Sequence, residues 1–228
     1  MDPSDPAHAG QAVYSKSFLR IYDIAVVRLS NSFVWRCPAN TLLDHYQSHV
    51  TTSHLDVGPG TGYYLDRVHF PGDSPALTLL DPNPDVLQFT SNRLRRYSPM
   101  THAADALKPI GLAPQSFRSV ALGFVLHCLP GDLAAKSVVF DNVSPLVETD
   151  GVIFGSTILG EGVDHTRLAR KLIHLYNRKR IFSNSGDGLD GLSNELSERF
   201  TRYEVEVVGS VALFAAWVDR TTRDNSSR

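Results

Sequence analysis

The stretch His54-Leu55-Asp56-Val57-Gly58-Pro59-Gly60-Thr61-Gly62 restricts more than any other what this chain can fold into. A short lead ends in an acid, three glycines alternate, and a helix-capable run from Tyr63 to Val68 follows. Glycine permits positive φ and lets a ligand approach the backbone closely, so the pattern predicts the strand, loop and helix start of a nucleotide-type site. A dinucleotide loop would space its glycines G-x-G-x-x-G and hold a pyrophosphate on free amides at a helix N-terminus. Here the spacing is G-x-G-x-G, Pro59 removes one amide donor, and the Asp56 carboxylate would repel phosphate. A cofactor without phosphates, preferably cationic, fits better.

Asp56-Val57-Gly58-Pro59-Gly60-Thr61-Gly62 resembles the first motif of the class I methyltransferases that use S-adenosylmethionine. That cofactor carries a sulfonium and an amino acid tail and has no phosphate. The resemblance covers roughly residues 50 to 218 and places Asp56, Gly58, Gly60 and Gly62 at the cofactor. Pro75 to Asp81 reads as a second buried strand ending in an acid, and Asp81 lies 19 residues beyond Gly62. An acid there would hydrogen-bond ribose hydroxyls, with Pro82 and Asn83 in the turn beside it. Asp105 and Ala106 match the family's acid and following residue after the third strand, which implies contacts to the adenine amine and ring. The fourth strand, Phe117 to Phe124, would bring Phe124 to the wall around the methionyl tail and the reacting methyl group.

Strands alternating with helices imply a parallel α/β sheet. The expected fold is a Rossmann-like, seven-stranded, mostly parallel sheet with helices on both faces, an antiparallel C-terminal hairpin strand at its edge, and an N-terminal helical cap. Residues 12–220 form the single domain of this expectation, 12–50 being the cap and 51–220 the core, with flexible tails at 1–11 and 221–228. In the cap, Phe18, Ile21, Tyr22, Ala25 and Leu29 share one helix face, and a second helix starts with Asn40 or Thr41 as N-cap. Further helices are predicted after Pro84, with Val86, Leu87, Phe89 and Leu94 inward, then from Asp132 to about Asn142, around Leu168 to Tyr176, and from Asn194 to Phe200. The Thr149-Asp150-Gly151 turn precedes a fifth strand ending at Leu159, and Tyr203 to Val208 pairs with Val211 to Val218 as a closing hairpin. Arg93, Arg95 and Arg96 near one helix end are explained by the helix macrodipole and solvation, and the basic run from Arg167 to Arg180 by a solvated face.

A net charge of −2 supplies no basic field for nucleic acid or an anionic membrane, and no stretch is long and apolar enough to insert in a bilayer. The expected partner is a small-molecule methyl acceptor. Cys37 and Cys128 form neither a disulfide framework nor a four-ligand zinc site, and Met1 to Pro6 carries acids and prolines where a signal peptide needs basic and apolar residues. The expected location is cytoplasmic.

Methyl transfer is an in-line displacement at a carbon activated by its sulfonium, so orientation dominates and S-adenosyl-L-homocysteine is the product. His127, just past the fourth strand, is the candidate general base. Tyr14, Tyr22 and Trp35 of the cap are candidate walls of the acceptor pocket, against the alternative that each is simply a core aromatic. No histidine, cysteine or carboxylate spacing marks a metal site. The compact chain resembles small-molecule methyltransferases, including those of natural-product pathways. Two other readings stay open from sequence. One is a protein of this fold that binds the cofactor without transferring methyl, as a scaffold, regulator or non-redox catalyst. The other, disfavoured by Asp56 and the glycine spacing, is a dinucleotide-dependent dehydrogenase.

Overall fold

A computed structural model of the chain describes residues 32–219. Tyr14, Tyr22 and the helix face from Phe18 to Leu29 lie outside the described residues.

The strands are β1 (Ser53–Val57), β2 (Ala76–Leu80), β3 (Met100–His102), β4 (Phe117–Gly123), β5 (Val147–Ile158), β6 (Arg202–Val208) and β7 (Val211–Trp217). They join in one sheet of order β3-β2-β1-β4-β5-β7-β6. Pairings from β3 to β5 are parallel, and β7 runs antiparallel to both β5 and β6. The hairpin therefore inserts its second strand beside β5, and β6 is the edge strand. β1 and β2 are buried over nearly their whole length, as strands covered on both faces must be. Strand order reverses between β1 and β4, and the crevice beyond the carboxyl ends of two such strands is where open α/β sheets bind ligands.

The helices are α1 (Ala39–His49), α2 (Pro84–Arg93), α3 (Leu133–Val143), α4 (Arg167–Arg178) and α5 (Leu189–Arg199). Side-chain alternation along the strands builds a core on each face of the sheet. Leu55 and Val57 join Phe140 of α3, Leu192 and Leu196 of α5 and Phe214 on one face. On the other, Leu79, Phe154 and Ala215 pack against Tyr46 of α1 and Leu87 of α2. A third cluster joins Trp35 and Cys37 to Ile173 of α4 and to Phe182.

Several boundaries differ from expectation. α1 starts at Ala39 with Pro38 as N-cap and no side-chain capping bond, because proline already sets the entry φ. After the glycines the chain makes turns and no regular helix; Asp66 N–H reaches Gly62 O and Val68 N–H reaches Tyr64 O before Pro71-Gly72 ends the segment. Phe89 is only half-buried, and Thr90 takes the inward position. The turn at Thr149 to Gly151 is absorbed into β5: Asp150 has φ +63 and the register with β4 slips there. α5 begins at Leu189, ahead of Asn194.

Candidate active site

Gly58 continues the β1 ladder by donating to Leu80 O at 2.8 Å, and the chain then turns with positive φ at Gly58, Gly60 and Gly62. Gly62 needs its bareness for packing, since a Cβ there would lie 2.8 Å from Thr90 Cγ2. Gly60 is different: nothing lies within 4 Å of the place a Cβ would take. This open approach to bare backbone is the cradle a ligand requires. The loop is held from the α2 side. Thr90 Oγ1 donates to Gly60 O at 2.5 Å, and Arg93 donates to Thr61 O at 3.0 Å. Arg93 and Arg96 also converge on Asp66, at 3.1 and 2.6 Å, a structural task beyond macrodipole and solvation. Burial would raise the Asp66 carboxyl, but hydrogen bonds and charge from Arg96 and Arg93 outweigh it and hold it below the usual range.

Asp56 in β1, Asp81 after β2 and Asp105 after β3 follow three adjacent parallel strands and so share one edge of the sheet. Asp81 Oδ1 accepts from Asn83 N–H at 2.8 Å, while Asn83 Oδ1 caps α2 through Asp85 N–H at 2.9 Å. Burial, opposed by that one amide, pushes the Asp81 carboxyl up to about 6. A desolvated carboxylate with one hydrogen-bond donor among the described residues suits a vicinal diol that would bring two more. Pro82 is half-buried in the same turn. Asp105 accepts from Leu107 N–H at 3.0 Å and pairs with Lys108 at 3.2 Å. Ala106 is buried, and its carbonyl is anchored by Asn142 of α3 at 2.9 Å.

Asp56 is buried beneath α1, with Tyr46 OH donating to Oδ2 at 3.3 Å and His54 Nε2 at 3.6 Å from the same oxygen. Burial raises its carboxyl above the ordinary range, opposed by His54 and Tyr46. The open loop at Gly60, an acid at the β1 end and a diol-suited acid at the β2 end together fit a phosphate-free nucleoside cofactor.

Phe124 follows β4 with φ +60, its N–H donating to Ser156 O at 2.8 Å, and its ring stands edge-on to His127 at 5.7 Å. His127 is buried, with Nδ1 accepting from Ile158 N–H at 3.3 Å and Phe182 against its ring at 4.6 Å. Burial, reinforced by the Lys136 charge, pushes its pKa down to about 3. The imidazole is therefore neutral, and with Nδ1 engaged its proton resides on Nε2, which makes that atom a donor. Trp35 is 3% exposed and lies behind Phe182 at 6.2 Å between rings. The segment bearing Phe182 is fixed by Lys136 of α3, whose buried Nζ donates to Ser183 O and pairs with the buried Asp187 at 2.5 Å. Among the described residues no group of three or more His, Cys, Asp or Glu could hold a metal ion.

Three site residues, Tyr46, His54 and Phe182, carry no assignment in the sequence reading. Tyr46 looks like any inward residue of α1, and its hydroxyl gives no sequence signal. His54 did leave one, being two residues before Asp56 and so on the same sheet face.

No protein-family model matches the chain. It is 36% identical over 208 residues to demethylluteothin O-methyltransferase of Streptomyces thioluteus, covering 91% of this chain and 90% of that one. It is also 36% identical over 213 residues to the physcion biosynthesis cluster O-methyltransferase of Aspergillus chevalieri, covering 92% and 96%. Among solved structures, N-methyltransferase NodS from Bradyrhizobium japonicum WM9, in complex with S-adenosyl-L-homocysteine, superposes with a TM-score of 0.63 at 15% identity, covering 95% of this chain and all of that one. The glycine loop and strand-end acids agree with these similarities, and the chain belongs to the class I S-adenosylmethionine-dependent methyltransferases.

Proposed function

We propose that the protein transfers the methyl group of S-adenosylmethionine to a hydroxyl oxygen of a small-molecule secondary metabolite, releasing S-adenosyl-L-homocysteine. The observation that carries this reading is end-to-end similarity, at 36% identity, to two O-methyltransferases, one of them named for a biosynthesis cluster.

When bound, the cofactor supplies a methyl carbon already activated by its sulfonium. The chain's residues divide the rest. Gly60, in the turn shaped by Gly58 and Gly62, would give backbone access beside Asp56, Asp81 would accept from the ribose hydroxyls, and Asp105 with Ala106 would face the adenine. Phe124 walls the methyl group. Holding acceptor oxygen, methyl and sulfur in line is worth about 7–11 kcal/mol at best. His127 acts as a neutral group that orients the acceptor through Nε2–H, and Phe182, with Trp35 behind it, bounds the acceptor side. An acidic phenol or enol, which ionises readily, suits such a site because it needs no strong base. Cys37 and Cys128 are free thiols, which supports a reducing, cytoplasmic setting.

The test is to supply methyl-labelled S-adenosylmethionine with hydroxylated acceptors and locate the label by carbon NMR. A methyl carbon bonded to oxygen supports the reading; one bonded to nitrogen or carbon overturns the acceptor class.

A further inference from the structure

The face of the sheet beneath α1 contains a run of polar groups that leads from Thr51 to His54, beside Asp56. Thr51 N–H donates to Ser119 Oγ at 3.1 Å, and the two hydroxyls are 2.9 Å apart. Thr51 Oγ1 also donates to Ser53 O at 3.0 Å. Ser119 Oγ lies 2.8 Å from His54 Nδ1, across the β1–β4 pairing in which the two residues are register partners. His54 is fully buried, and its Nε2 makes no hydrogen bond to any described residue and faces the Asp56 carboxylate at 3.6 Å.

Counting protons fixes the direction of this chain. Thr51 spends its one hydroxyl proton on a carbonyl, which can only accept. Ser119 must then donate to Thr51, and its oxygen accepts from Thr51 N–H and from His54. His54 Nδ1 thus carries a proton whatever the state of Nε2. What remains is a single proton between Nε2 and Asp56 Oδ2, where either an imidazolium meets a carboxylate or a carboxyl meets an imidazole. Among the described residues, the other ionisable groups around Asp56 are Tyr46 of α1 and Tyr64, stacked on Tyr46 at 5.1 Å; His45 and His49 lie beyond the Phe154 ring.

We infer that His54 is a positioning residue for cofactor binding, holding this proton against Asp56 so that the motif acid can present negative charge to a cationic cofactor. The inference rests on the cofactor reading of Asp56 above. Without a cationic partner, a carboxyl this deeply buried keeps its own proton. Ser119 sets the tautomer and Tyr46 supplies a neutral donor.

The experiment is calorimetric titration of S-adenosyl-L-homocysteine into the full chain from about pH 5.5 to about pH 8.5. Wild type is compared with His54→Leu, His54→Gln and Asp56→Asn. Asp81 titrates in all four, so the diagnostic quantity is the displacement between their profiles. In His54→Leu the rise of affinity with pH moves upward, leaving binding about tenfold weaker at neutral pH and recovering above it. His54→Gln, which restores a donor but no charge, falls between. Asp56→Asn binds weakly and lacks this pH step.

A His54→Leu profile unshifted along the pH axis, whether or not affinity drops uniformly, overturns the inference while the cofactor reading stands. Undiminished binding by Asp56→Asn overturns both. If His54→Leu does not fold, nitrogen NMR of the wild-type imidazole decides: a ring protonated on both nitrogens supports the assignment, and a bare Nδ1 or a bare Nε2 overturns it.

Discussion

The Tyr46 hydroxyl lies 3.3 Å from Asp56 Oδ2 and fills the space into which a side chain at position 123 would grow. One group of α1 thereby closes the floor between the ends of β1 and β4, where the strand order reverses. Gly123→Ala would drive a methyl into that hydroxyl and cost about 1–3 kcal/mol of stability. Tyr46→Phe removes the donor to Asp56 and costs about 1 kcal/mol or somewhat more. Because both act at one spot, the double variant should be more stable than the sum of the singles by about 0.5 kcal/mol or more in denaturant unfolding. Strict additivity would contradict the packing described.

Asp81 couples stability and binding with opposite signs. Its carboxyl, at about 6 in the fold, lies above the ordinary unfolded value near 3.9. The folded state therefore binds the extra proton between these values, and the stability this group contributes is present below about pH 4 and lost as pH rises through about 6. Asp81→Asn should raise the Tm of the unliganded protein at neutral pH by about 2–4 °C, the effect of about 1 kcal/mol in a domain of this size. The same substitution should weaken cofactor binding, and wild-type affinity should fall below about pH 6 as the acceptor oxygens protonate. Differential scanning calorimetry and binding titrations check both halves; a lower Tm or unchanged affinity would count against the assignment.

Gly60→Ala and Gly62→Ala should separate function from folding. Both glycines have positive φ, +52 and +69, which costs an alanine about 1–2 kcal/mol. Gly62→Ala adds a collision with Thr90 and should lose stability by a further about 1–3 kcal/mol. Gly60→Ala meets open space, so its methyl should cost cofactor affinity more than Tm. Thermal melts with and without S-adenosyl-L-homocysteine measure the two effects.

His127 should leave no mark on the pH dependence of the reaction. With its pKa near 3, it stays neutral across the working range, and kcat/KM should show no inflection near 6.5 that His127→Gln abolishes. Such an inflection, lost on substitution, would restore the general-base role to this residue.

The glycine loop and the strand-end acids were legible because a loop conformation and a strand terminus are written in neighbouring residues. The parallel order was legible from buried strands alternating with helices. Tyr46 and Ser119 were not, since their roles depend on meeting Asp56 and His54 across 10 and 65 residues of chain. The helix expected after Gly62 is replaced by turns because Pro71-Gly72 ends the segment early. At Asp150 a turn signal proved to be an irregularity inside β5, where pairing with β4 overrode the local preference. His127 illustrates a further limit: its place beyond β4 suggests a base, and the burial that pushes its pKa down to about 3 is not written locally.

The measurement that tests the central claim most directly is mass spectrometry of a cell extract incubated with the purified protein and deuteromethyl S-adenosylmethionine. The expected result is a small molecule that gains the labelled methyl, with matching formation of S-adenosyl-L-homocysteine, and loss of both in Asp81→Ala. Tight cofactor binding with no labelled product under these conditions would contradict it and point to a protein that holds the cofactor without transferring its methyl.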